Sequence, residues 1–238
     1  MLFGADALAA VAVGSDLYSI LFYLGAGTLA GLSPVYATAV VRADPTERVR
    51  LERIGQVAVA LLAAVVVPVL WTAPEWLGAL GLDPALLDQG RGYTQIMALT
   101  LVPMLGVAFY RTILTAAEKP KVFLWVTLTM LPVNAAANFV LMTGAGPAPE
   151  FGPTGAALAT LLVATMTLLV LALVARRSRP RGVSGSSGPA GDRRGLASVL
   201  RVGLPIGIAT VAEVGVFWAQ RSMLRRSVLR TSRRTPSR

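Results

Sequence analysis

Residues 122–143 form a run without a single charged side chain. At about 1.5 Å per residue this run spans roughly 33 Å as a helix, the thickness of a bilayer's hydrocarbon core. Lipid offers no water to satisfy backbone N–H and C=O groups, so a run of this kind closes its own hydrogen bonds as a helix packed among other helices. Two amides interrupt it, Asn134 and Asn138. Being four apart, they share one face, one turn above the other, near the middle of the span. Two readings stand: glue between neighbouring helices, for which Asn is well suited, or a solute or cation site inside a helical bundle.

The rest of the chain repeats the pattern. Apolar stretches run over residues 8–41, 54–73, 93–117, 122–143, 154–175 and 204–220, with 55% of the chain hydrophobic, 14% charged and a mean hydropathy of +0.65. The expected fold is all-α, a polytopic transmembrane bundle of about six spans. The first stretch is longer than a bilayer needs and is interrupted early by Gly14, Ser15 and Asp16. Further along it, Gly27 and Gly31 make a small-xxx-small pair suited to close helix packing. Pro34, Pro68, Pro103, Pro132 and Pro205 punctuate nearly every span and invite kinks.

Connectors alternate in charge. Residues 42–53, 118–121 and 176–201 are basic, whereas 74–90 is acidic and 144–153 carries only Glu150. Basic loops mark the cytoplasmic side, so the first span runs outside to inside and the span 122–143 runs inside to outside. Trp71 and Trp76 fall at interface depth on the acidic side, as an aromatic belt would.

The net charge of +10 and pI of about 11.1 could suggest nucleic acid. Placement argues against it: seven of the 22 basic residues follow Gln220, and the remaining fifteen face 12 acidic ones. Cysteine and histidine are absent, which removes thiolate and His-based metal motifs and every Ser/His or Cys/His nucleophile. No enzyme constellation is left, no nucleic-acid partner is expected, and no cofactor is called for.

Glu213 sits inside the last apolar run. A charged carboxylate at mid-bilayer costs of order 3 kcal/mol on insertion scales, so Glu213 is a candidate for proton or cation exchange, set against a structural hydrogen bond or a helix end nearer the interface. Thr160 lies mid-span, where a hydroxyl commonly bonds its own i−4 carbonyl. Arg111, after Phe109 and Tyr110, reads as a snorkelling side chain. Asp6 and Asp16 read as solvated cap residues on the outer side.

Five segments in order carry a resemblance: Ala7-Leu8-Ala9-Ala10-Val11 leading to Leu32-Ser33-Pro34-Val35; residues 111–120; Leu131-Pro132-Val133-Asn134 with Asn138; Gly155-Ala156-Ala157-Leu158-Ala159-Thr160; and Val202-Gly203-Leu204-Pro205 followed by Glu213. Together they resemble the MATE family of multidrug and toxic compound extrusion antiporters, most of all its NorM-like branch. The resemblance implies the first lobe of a two-lobed transporter, with residues 1–175 similar to helices two to six, 176–198 a basic Gly/Ser-rich cytoplasmic linker, and 199–220 a partial seventh helix. It implies export of organic cations or drugs in exchange for H⁺ or Na⁺ across the cell membrane. Asn134, Asn138 and Thr160 would form a polar site in the cavity, Glu213 would be the seventh-helix carboxylate, and a separate second lobe would complete it.

Departures from the family pattern matter. Met1 starts after the place of the family's first helix, and Thr38 and residues 40–44 replace the Gln and Gly-rich turn usual after the second. Residues 221–238 are Arg-rich without acids and match nothing in the family, so a disordered, truncated or out-of-frame C-terminus and an inactive form are expected. The alternatives are a non-transporting membrane module and a flippase of lipid-linked substrates from the same superfamily.

Overall fold

Pro34 divides the first apolar run. Its ring removes an N–H and crowds the carbonyl four residues back. That residue is Ala30, where helix α1 (Ala5–Ala30) ends before α2 (Ser33–Val41) begins. The computed structural model describes residues 5–144, 151–177 and 189–232, with side chains for 11–85, 87–144, 151–177 and 195–216. Every element among the described residues is a helix: α3 (Pro45–Trp71), α4 (Ala73–Ala79), α5 (Pro84–Ala116), α6 (Pro120–Thr143), α7 (Gly152–Arg177) and α8 (Pro189–Ser232) follow. Six stretches among them are long and apolar enough to cross a membrane.

Several boundaries differ from those expected, each for a local reason. The segment 42–53 is not a connector beyond Asp44. There the Asp44 carboxylate accepts the backbone N–H groups of Thr46 and Glu47, both at 3.0 Å, and Pro45 starts α3 with a preset φ. Asp83 and Pro84 repeat the device, with Asp83 accepting the Ala85 N–H at 2.9 Å, so that α5 begins inside the expected acidic connector. Gly14, Ser15 and Asp16 do not interrupt α1. Helix α6 stops at Gly144, whose φ of 67° needs the left-handed region that glycine enters without a Cβ penalty.

The largest difference concerns the C-terminal third. Helix α8 starts at Pro189, inside the expected linker, and runs through Gln220 to Ser232, where a disordered tail was expected. Between Val216 and Thr235 no Gly or Pro breaks it, and Arg, Met and Leu are good helix formers. Residues 145–150 of the short loop, 178–188 of the expected linker and 233–238 of the expected disordered tail lie outside the described residues.

The axis of the bundle is α5, not the asparagine-bearing helix. In the most apolar window of α5, 61% of residues are buried, against 6% in α6. Leu101, Leu105 and Phe109 of α5 are sealed from solvent, with α1, α3 and α7 packed around them. Helix α6 leans on α7, has no buried residue, and leaves Trp125, Leu131 and Phe139 more than 60% exposed. Periodicity could not rank the spans, because a lipid-facing helix and a core helix are equally apolar.

On the far side α8 packs along α1 through glycine. A β-carbon on Gly27 would lie 2.7 Å from the Gly207 Cα, and one on Gly31 would lie 2.7 Å from the Gly203 Cα. The small-xxx-small pair expected on α1 thus meets a second one on α8, and bare backbone touches backbone. The basic connectors share one end of the bundle: the end of α2, the starts of α3 and α6, and the ends of α5 and α7 line a common cavity there. At the opposite end the Trp76 indole donates to the Val69 carbonyl at 3.1 Å, satisfying an acceptor of the last turn of α3.

Candidate functional site

Helices α5, α6 and α7 enclose a groove of about 290 Å³ lined by Met104, Phe123, Met130, Asn134, Thr160 and Thr167 among others. Of the residues singled out in the sequence, Asn134 and Thr160 are therefore brought to one wall space from two different helices. Asn138 stands behind Asn134. It donates its side-chain amide to the Asn134 backbone carbonyl at 2.9 Å and to the Asn134 side-chain oxygen at 3.2 Å, which fixes the direction of that side chain.

The threonines spend their protons on their own helices. Thr160 donates to the Ala156 carbonyl at 2.9 Å, Thr127 to Phe123 at 2.9 Å and Thr167 to Val163 at 2.7 Å. With those protons engaged, the hydroxyl oxygens offer lone pairs. No charged side chain lines the groove among the described residues. The surface is thus apolar and aromatic with scattered acceptors, which suits a guest carrying N–H donors or a diffuse positive charge. At the basic end the Arg111 guanidinium lies 5.7 Å over the Phe123 ring, so this arginine packs on the edge of the groove instead of only reaching for the interface.

Glu213 is not part of this arrangement. Helix α8 packs on α1 and α3, and Glu213 is exposed on it. Within this chain the carboxylate and the asparagine pair occupy different faces of the bundle.

Sequence reasoning misplaced two acids. Glu52, placed in a charged connector, lies within α3 and is only 6% exposed; the equally buried Tyr36 hydroxyl donates to it at 3.0 Å. Both line a cavity of about 110 Å³ at the basic end, beside Arg48 and Lys119. Arg48 itself donates to the Ala39 and Val40 carbonyls at 3.3 and 2.7 Å, holding the last turn of α2. The only available signal was the Asp44-Pro45 start, which makes 45–53 helical and turns Glu52 inward. Asp16, expected as a solvated cap, sits inside α1 and is half-buried against α8.

The chain is similar to known proteins over most of its length. The "Probable multidrug resistance protein NorM" of Bradyrhizobium diazoefficiens is 32% identical over 226 residues, covering 90% of this chain and 46% of the relative. The protein of the same name from Rhizobium meliloti is 31% identical over 227 residues, with the same coverage. Among solved structures, the outward-facing conformation of a multidrug resistance MATE family transporter of the MOP superfamily superposes with a TM-score of 0.74 at 21% identity, covering 90% of this chain and 47% of that one. The inward-facing conformation gives 0.72 at 19%, covering 87% and 47%. The chain spans about half the length of the curated relatives it matches. Six apolar helices and this kinship make it a multi-pass membrane protein with the fold of one transporter lobe. Since the family model "MatE" matches residues 1–140, more than half of the 238, the chain belongs to the MatE family.

Proposed function

We propose that this chain forms one lobe of a membrane antiporter that exports organic cations and similar drugs in exchange for H⁺ or Na⁺, working in the cell membrane against a second lobe. The observation that carries the reading is the meeting of Asn134 and Thr160 in one groove at membrane depth. An amide and a hydroxyl on facing helices, ringed by Met104, Met130 and Phe123, offer acceptors in an apolar frame. Such a surface holds an organic cation without a fixed counter-charge and releases it easily. Asn138 orients the amide, and Glu213, on α8, serves the coupling ion from another wall of the complete transporter. The names of the relatives point the same way.

The chain contains no cysteine, so single cysteines report cleanly. Cysteines at positions 134 and 160 in membrane vesicles are expected to react with a membrane-impermeant methanethiosulfonate reagent and to be shielded by ethidium. A cysteine at Val65, exposed at 65% on the outside of α3, should stay unreactive in lipid. If positions 134 and 160 behave like position 65, the groove is dry and the reading fails.

A further inference from the structure

We propose that Arg111 holds the phosphodiester of an anionic phospholipid from the cytoplasmic leaflet, with one acyl chain of that lipid lying in the groove between α5, α6 and α7. Arg111 stands one turn beyond Val107 on the face of α5 that lines the groove, about 8 Å short of the end of its span at Ala116. A guanidinium keeps its charge at every physiological pH, and one set inside a membrane span calls for an anionic partner. Among the described residues no carboxylate supplies it. Arg111 is exposed, lies 5.7 Å over the Phe123 ring, and makes no ion pair with Glu118 in the turn between α5 and α6.

A lipid carries its phosphate at the membrane surface and its chains toward the midplane. Arg111 and the groove are stacked in that same order. Phe123 joins the two, since its ring carries the guanidinium and also lines the groove. Below it the walls are apolar, with Met104, Val107 and Leu131, apart from Thr127, whose proton is spent on the Phe123 carbonyl. The amide of Asn134 comes only about 16 Å further along α6. Thr127 and Leu131 line the groove and are both exposed, so it opens sideways on the surface of the bundle at membrane depth. A chain can therefore enter from the bilayer without leaving hydrocarbon.

The surrounding charge selects the headgroup. Lys119, Lys121, Arg176 and Arg177 are all exposed at this end of the bundle. They repel the second, cationic group of a choline or ethanolamine head and favour a head that is negative overall. A planar guanidinium also matches two phosphate oxygens at once. The site needs neither a moving solute nor a second lobe, and it does not rest on the transport reading.

The test is binding of dioleoyl phosphatidylglycerol and dioleoyl phosphatidylcholine to the full chain in detergent, counted by native mass spectrometry. The wild type is expected to retain one phosphatidylglycerol about tenfold more tightly than phosphatidylcholine. Arg111→Gln should lose that preference, Arg111→Lys should keep part of it as a point charge, and Lys121→Gln should keep it whole. Thr127→Trp fills the groove below Phe123 and should weaken phosphatidylglycerol binding about tenfold with every charge in place. This variant also decides the matter if Arg111→Gln fails to fold, which circular dichroism would show. Equal binding by Arg111→Gln and the wild type overturns the proposal, and so does unchanged binding by Thr127→Trp. A loss in Lys121→Gln as large as that in Arg111→Gln means diffuse attraction to the basic end and overturns it too. Displacement of the lipid by glycerol 1-phosphate assigns the site to a free phosphate ester, with the same result.

Discussion

Gly203 of α8 lies directly on the backbone of Thr28 of α1, so that a β-carbon on the glycine would overlap the threonine's carbonyl oxygen. The obstacle is main chain and cannot rotate away. Gly203→Val should therefore push the helices apart and cost about 3 kcal/mol, the upper end for overpacking. Gly215→Ala, whose β-carbon meets nothing within 4 Å, should be neutral or stabilising by up to about 1 kcal/mol. Thermal denaturation in detergent would show it; equal midpoints for the two variants would mean that α8 does not depend on this contact.

The Tyr36 hydroxyl and the Glu52 carboxylate are both 94% hidden and joined at 3.0 Å. Tyr36→Phe removes the donor and leaves a buried acceptor with less support, at a cost of about 1–3 kcal/mol. Tyr36→Phe combined with Glu52→Leu removes both polar groups and should recover part of that loss, as replacing both members of a buried polar pair does. A double variant destabilised by the full sum of the two single changes would show that Glu52 is anchored chiefly by other partners.

The outline of the fold was legible because its determinants are local. Apolar runs of bilayer length gave the six spans, and Gly27 and Gly31 announced a close contact, since only missing side chains permit one. The partner of that contact, Gly203 and Gly207, carries the same spacing but lies across the linker, and no local rule pairs two such motifs over 170 residues. Burial rank was hidden for the same reason: α5 and α6 read alike, yet one is the axis and the other the rim. In the groove, the four-residue spacing of Asn134 and Asn138 put the two amides on one face; that they bond each other, and not a neighbouring helix, came from the structure. The approach of Thr160 to Asn134 is tertiary and entered only through family resemblance, which also linked Glu213 to a site from which this lobe holds it apart.

Asp44 accepts two backbone N–H groups at the start of α3 and is exposed to water. Its loss in Asp44→Ala should cost about 1 kcal/mol, a typical value for an N-cap. Asp44→Asn or Asp44→Ser should restore most of it. Since α3 packs on the α5 axis, the loss should appear in the global midpoint; hydrogen exchange confined to residues 45–48 would show instead that the first turn frays alone.

Asn138 reaches Asn134 as a donor, and that direction makes its role testable. Asn138→Ala frees the Asn134 side chain to turn out of the groove. One net hydrogen bond is worth about 1 kcal/mol, so transport by a complete transporter containing this lobe should fall about fivefold. Stability should change little, because the pair is only partly buried. Asn138→Asp keeps the shape but, as a carboxylate, has no proton to donate, so it should lose as much as alanine. If the Asp variant transports as well as the wild type in a vesicle efflux assay, position 138 serves as an acceptor facing the solute, and its orienting role is wrong.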